Sequence, residues 1–187
     1  MKRIWIGLIT AGMAFGLLNS GEQAYSPEDL KKALDIVRRI EQAEEKGSRE
    51  IPRKVSVTED VLNAYLGYRA DLEGGPLKNL EVKLFPDRQI EGKLFIDLSG
   101  FNPPRGLKQE MTFYFRSKIE IRNGRGRLDI QELFLEKQQV DPVVLNLAIF
   151  FLSQIQNTEA SGIGDWYELP YGIKDLKTYR EWCEIYY

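Results

Sequence analysis

Residues 141–157, DPVVLNLAIFFLSQIQN, are the stretch that most restricts what this chain can become. Asp141 suits an N-cap, and Pro142 suits the first helical turn, where its fixed φ is already correct and its missing N–H is not needed. Ten of the thirteen residues from Val143 to Ile155 are apolar. On a helical wheel they cover roughly 200°, against the ~100° that an ordinary surface helix buries. Asn146, Ser153 and Asn157 share the narrow polar stripe that remains, with Gln154 and Gln156 on its flanks. Leaving four or five of the large side chains wet would cost on the order of 10 kcal/mol, comparable with the net stability of a whole domain. The helix therefore needs cover on two sides.

Alternating segments supply the first cover. Leu80, Val82 and Leu84 alternate with polar residues, Pro86-Asp87 turns the chain, and Ile90, Leu94, Ile96 and Leu98 resume the two-residue period. A loop from 100 to 106 leads to a long strand with Met111, Phe113, Phe115, Ile119 and Ile121 on one face. Asn123-Gly124 is a hairpin turn, since both central residues of a type I′ turn require positive φ. The return strand carries Leu128 and Ile130, then shifts parity to Leu133 and Leu135. A bulge near Gln131-Glu132 accounts for the shift and bends the sheet.

Two helices precede this sheet. Residues 26–47 open on Ser26-Pro27-Glu28-Asp29 and carry an apolar stripe of Leu30, Ala33, Leu34, Val37 and Ile40, closing at Lys46-Gly47. Val55-Ser56-Val57 reads as a short strand, and Thr58 caps a second helix with Val61, Leu62, Tyr65 and Leu66 on its buried side. The closing segment, IKDLKTYREWCEIYY, reads as one final strand with Tyr179, Cys183, Ile185 and Tyr187 on one side. The expected architecture is α+β: a curved antiparallel β-sheet wrapped on a hydrophobic α-helix, with two N-terminal helices. One domain is expected over 26–187, with residues 26–47 as the amphipathic helix and 53–187 as the sheet-and-helix body.

Residues 1–21 carry an address. Lys2 and Arg3 precede an uncharged run from 4 to 18, and Asn19, Ser20 and Gly21 follow, as in a secretory signal peptide. Retained, the same run would serve as an N-terminal membrane anchor, although it is shorter than the ~20 residues that span a bilayer. Export is expected, to the periplasm, the medium or the outer side of a membrane.

The chain has no histidine and a single cysteine, Cys183. It therefore lacks the commonest general base, the commonest metal ligand and any internal disulfide. No G-x-S-x-G elbow is present, and Gly162-Ile163-Gly164-Asp165 is only a fragment of a phosphate loop. The acidic pairs Glu59-Asp60 and Asp165 with Glu168 suit a helix N-terminus and a solvated loop. A carboxylate hydrolase is the only enzyme class left open. No enzymatic activity, cofactor or metal is expected, and a net charge of −2 argues against nucleic acid as a partner. Arg122, Arg125 and Arg127 surround the hairpin turn and could meet an anion or a lipid head group, or could simply be solvated.

Three segments together resemble the LmeA-like and YpmS-like exported proteins, relatives of tubular lipid-binding folds. VSVTEDVLNAYL (55–66) is similar to their strand-then-helix opening. GRLDIQELFLEKQQVDPVVLNLAIFFL (126–152) resembles their strand, bulge, strand, proline and apolar helix. LPYGIKDLKTYREWCEIYY (169–187) resembles their Leu-Pro turn and closing strand. Together they span about one-third of the chain. The resemblance implies a curved sheet wrapped on a helix with lipid or another apolar ligand between them. The charged first helix and the aromatic, Cys-bearing last strand depart from it.

The residues and the resemblance lead to one expected function, an exported, non-enzymatic binder of lipid or another hydrophobic small molecule held between the sheet and helix 142–156. Its expected apolar lining is Val144, Leu147, Phe151, Ile155, Phe113, Phe115, Trp166 and Trp182, and a membrane surface is a further partner. The competing expectation is a cell-envelope structural or interaction module, membrane-anchored or homodimeric, whose core is closed by the first two helices and the last strand.

Overall fold

The structure, a computed structural model, describes residues 25–45, 53–73, 75–103, 105, 107–155 and 162–187. Residues 1–21, expected to be a signal peptide or anchor, residues 46–52 of the expected helix end and connector, and residues 156–157 of the expected apolar helix lie outside the described residues. The chain runs α1 (Pro27–Glu45), β1 (Lys54–Thr58), α2 (Glu59–Glu73), β2 (Leu77–Phe85), β3 (Gln89–Asp97), β4 (Glu110–Arg122), β5 (Arg125–Leu135), β6 (Gln138–Gln139), α3 (Pro142–Ile155), β7 (Tyr167–Glu168), a 3₁₀ turn (Pro170–Gly172), β8 (Asp175–Tyr179) and β9 (Trp182–Tyr186). This is an α+β fold with an antiparallel, strongly curled half-barrel sheet.

The main sheet is a meander, β2-β3-β4-β5-β6, with β7 paired to the far end of β5. Its register decides which side chains meet. Phe115 of β4 faces Gly92 on one side and Leu133 on the other, and Phe113 faces Leu94 and Leu135. The expected bulge is present: Arg116 pairs with Glu132 and Ser117 with Ile130, so Gln131 has no partner across the strand. That one extra residue lets Leu128, Ile130, Leu133 and Leu135 all share the core face.

The core gathers on this face. Met111 and Phe113 of β4, Ile96 of β3, Leu98 just beyond it and Leu133 of β5 are buried, together with Leu145 and Ala148 of α3. Val57 of β1, Val61 of α2, Ala33 of α1 and Cys183 of β9 close the same cluster. The second cover of the sheet's apolar face is thus shared by all three helices and the small sheet.

The closing segment corrects one expectation. Residues 175–186 are not a single strand but a hairpin, β8 and β9, reversing at Arg180-Glu181 with Glu181 at a φ of 69°. β9 lies between β1 and β8 in a separate three-stranded sheet. The turn carries neither Gly nor Pro and sits within an uninterrupted alternation, so nothing in composition marks it. The reversal also puts Tyr179 on the face of Trp182, with the two rings stacked 4.0 Å apart, rather than on the face of Cys183.

The free edge of β2 is sealed by side chains. Asn63 of α2 donates to the Val82 carbonyl and accepts from the Val82 N–H, both at 2.8 Å. The Leu84 N–H donates to Glu59 at 2.7 Å, and the Leu84 carbonyl accepts from the Glu181 N–H. A strand edge occupied in this way cannot recruit another strand there.

Gly92 permits a close contact within the sheet. The Phe115 ring lies across it so closely that a Cβ at position 92 would come within 2.1 Å of a ring carbon. Gly92→Ala is expected to cost about 1–3 kcal/mol, the usual penalty of overpacking. The measurement is chemical denaturation of the single variant and of the double variant with Phe115→Leu. The double variant should recover much of the loss; an undiminished loss would mean the penalty comes from strand propensity and not from the ring.

Candidate functional site

The site begins with how α3 is turned. Asp141 caps it, its carboxylate accepting the Val143 N–H at 2.9 Å. A helix with one polar stripe would ordinarily put that stripe in water. Here Asn146 and Ser153 are engaged by the protein instead. Asn146 accepts the Ile163 N–H at 2.9 Å, which ties the 162–165 turn over it. Ser153 is buried and donates to the Ile149 carbonyl one turn earlier. With Leu145 and Ala148 held in the core, the solvent face falls on Val143, Leu147 and Phe150, which are 58%, 54% and 50% exposed. These three positions, with exposed Gln154, form one stripe at helical spacing, roughly 70° around from Asn146 and Ser153. The protein thus buries Ser153, half-buries Asn146 and leaves three large apolar side chains in solvent.

The expected apolar lining is divided by this arrangement. Phe113 and Phe115 are core residues beneath the helix, and Val144, Phe151 and Ile155 are half-buried against that core. Leu147 alone of that set on α3 is exposed. Trp166 stands at the far end of the main sheet and Trp182 on the small sheet, so the eight residues do not line a common space. Among the described residues, grooves of about 750 and 470 Å³ lie elsewhere, and neither is lined by a residue of α3.

The arginines of the hairpin turn are engaged with one another's neighbours. Arg127 meets Glu120 at 2.7 Å, Arg122 approaches the same carboxylate at 3.9 Å, and Arg125 approaches Glu168 at 3.8 Å. The guanidinium groups of Arg122 and Arg127 lie over the Trp166 ring, 5.5 and 5.0 Å from its centre. The two arginines beside Glu120, Arg127 foremost, hold its carboxyl below the usual carboxylate range.

One cluster escaped the sequence reading. On the outward face of the small sheet, the Glu184 carboxylate accepts from Lys54 Nζ at 2.7 Å, Tyr186 Oη at 2.6 Å and Tyr179 Oη at 3.5 Å. Glu184 is only 8% exposed. The Lys54 and Tyr186 hydrogen bonds hold its carboxyl below the ordinary range, and the same contact raises Lys54. Four residues from three strands meet only because β9 lies between β1 and β8, which no local pattern announces. Behind this face, burial pushes the Cys183 thiol up to about 12, so it stays protonated and unreactive at neutral pH. Among the described residues no group of three or more His, Cys, Asp and Glu side chains could hold a metal ion, and no helix is long and apolar enough to cross a membrane.

No protein-family model matches this chain, and neither a curated protein nor a solved structure matches it.

The Glu184 contacts predict a pH dependence. A depressed carboxyl contributes stability that is complete above its unfolded value, ~4.3, and is lost as pH falls through the folded value. Lys54→Met should therefore lower the melting temperature at neutral pH, and the gap from the parent should close as pH drops below about 4. Melting curves across pH test this; a gap that persists unchanged into acid would show that Lys54 acts by packing alone.

Proposed function

We propose that this protein is an exported, non-enzymatic binder of lipid or another apolar ligand, and that the ligand is taken up on the Val143–Leu147–Phe150 face of α3. The observation that carries this reading is the turn of the helix. Asn146 and Ser153 were available to face water, and the fold ties Asn146 to the 162–165 turn and buries Ser153 while three large apolar side chains stand half or more exposed.

The extent of the face supports a lipid ahead of a second protein copy. Half of three large side chains amounts to on the order of 250 Å², against ~800 Å² per partner in a stable protein interface. A single acyl chain, or shallow insertion at a membrane surface, is the better fit to such a stripe. The secretory character of residues 1–21 supports export, and the resemblance to LmeA-like and YpmS-like proteins implies the same ligand class.

Leu147→Glu tests the reading with little risk to the fold, because the side chain is already largely in solvent. The mature protein should carry extractable lipid or bind a fluorescent fatty-acyl probe, and Leu147→Glu should weaken probe binding about tenfold or more. A lipid-free protein that takes up no acyl probe, or binding indifferent to Leu147→Glu, would overturn it. A dimer by light scattering that Leu147→Glu dissociates would favour the interaction module instead.

A further inference from the structure

The other face of the main sheet is built differently. Its register places side chains in rows running across the strands. One row is Lys83, Glu91, Arg116 and Glu132, in which charge alternates at each strand. Arg116 joins its two neighbours, reaching Glu91 at 3.0 Å and Glu132 at 3.2 Å. The next row is Glu81, Lys93, Tyr114 and Phe134. Tyr114 is 43% exposed in the middle of the sheet, with Phe134 beside it on β5.

The groove of about 750 Å³ lies over these rows, bounded on one side by the start of α1 and part of α2. Its described lining carries six carboxylates against three cations. Arg116 is shared by two of the carboxylates, Glu91 and Glu132. The other four gather on the helix side. Asp29 belongs to the first turn of α1, Glu59 and Asp60 to the first turn of α2, and Glu81 to the edge strand β2. Lys32 meets Asp29 at 3.1 Å, and Glu59 accepts the Leu84 N–H. Each helix N-terminus adds roughly half a positive charge. Six carboxylates still outweigh these terms, so the groove stays acidic. It therefore has an acidic wall on one side and, two strands in from Glu81, the rings of Tyr114 and Phe134.

We propose that this groove binds an extended basic segment of a partner protein, with one Arg or Lys against the carboxylates of the α1–α2 wall and another over the Tyr114 and Phe134 rings. The proposal stands apart from the lipid reading, which concerns the opposite face of the sheet. Three observations select the occupant. The acidic excess attracts cations and disfavours nucleic acid and other polyanions. Exposed aromatic faces hold ammonium and, better, guanidinium groups. Glu81 and Tyr114 stand two strands apart, roughly 10 Å, so cations two to four residues apart in an extended chain reach both, whereas a single amine reaches one. Between them lie Lys83 and Lys93 on β2 and β3. Their ammonium groups repel a polyamine, which is charged along its whole length, but donate to the carbonyls of a peptide. Strand addition is closed along β2, where Asn63, Glu59 and Glu181 already occupy the Val82 and Leu84 backbone groups. The peptide thus lies across the sheet face, and its affinity depends on side chains and on salt.

The test is titration of the mature protein with a decapeptide of alternating arginine and alanine, followed by calorimetry and by amide chemical shifts. The peptide should bind, with shifts concentrated in β2–β4 around Tyr114 and at the start of α2. Decapeptides carrying glutamine or glutamate in place of arginine should bind at least about tenfold more weakly, and so should spermine. Tyr114→Ala should weaken binding about threefold or more, as should the double change Asp60→Asn with Glu81→Gln. Glu45→Gln with Glu110→Gln removes the same charge from exposed positions outside the groove and should leave binding unchanged. Melting temperature and amide spectra establish that each variant is folded. No binding of the arginine peptide at millimolar concentration would overturn the proposal. So would spermine or the glutamine peptide binding as tightly, shifts that map to α3, or binding that survives both Tyr114→Ala and the Asp60–Glu81 double change. An equal loss from the Glu45–Glu110 control would also overturn it, by showing attraction to net charge and not to the groove.

Discussion

The apolar row of β4 is the constraint on which the rest of this structure depends. Met111, Phe113 and Phe115 are 1%, 0% and 6% exposed, and they lie on a strand with neighbours on both sides. Covering three such side chains is worth about 1.5–3 kcal/mol each, so the elements around them are not free to sit elsewhere. β3 supplies Leu94 and Ile96, and β5 supplies Leu133 and Leu135 from beyond the Gln131 bulge. Without that bulge, one half of β5 would present its apolar residues to the wrong face. Leu145 and Ala148 of α3 then complete the cluster from above, and Val57, Val61 and Cys183 complete it from the side.

Anchoring α3 by Leu145 and Ala148 fixes its rotation, and its rotation fixes what it shows to solvent. Asn146 and Ser153 find partners on the protein, so covering them carries no unsatisfied hydrogen bond. Val143, Leu147 and Phe150 are what remains. The main sheet accordingly separates two chemistries. Its apolar face holds the helix whose exposed stripe suits a lipid, and its other face carries alternating charges around Tyr114 and Phe134.

Much of this fold was legible in the chain because its signals are local. The period-two runs, the Asn123-Gly124 turn, the parity change at Gln131 and the capping residues Thr58 and Asp141 each act within a few residues of themselves. The β8–β9 hairpin was not legible, because Arg180-Glu181 lacks any residue that prefers a turn and the alternation runs through it. The turn of α3 was not legible for a different reason. A wheel shows which residues are polar but not that a loop seventeen residues on would satisfy Asn146. The Glu184 cluster and the rows across the sheet depend on strand order and register, which join residues 54 with 184 and 83 with 132. Such adjacency has no trace in either neighbourhood alone.

The central claim is that α3 offers its apolar stripe to a ligand while its opposite side stays locked in the core. An environment-sensitive fluorophore on Leu147→Cys reads this directly, since the native Cys183 is buried and does not compete for the label. Addition of oleate or of phospholipid vesicles should shift the emission at position 147 to the blue, and the same label on Thr112→Cys, on the opposite face of the sheet, should not respond. Emission at 147 that stays unchanged through saturating oleate and vesicles, or a response equal at both positions, would contradict the account.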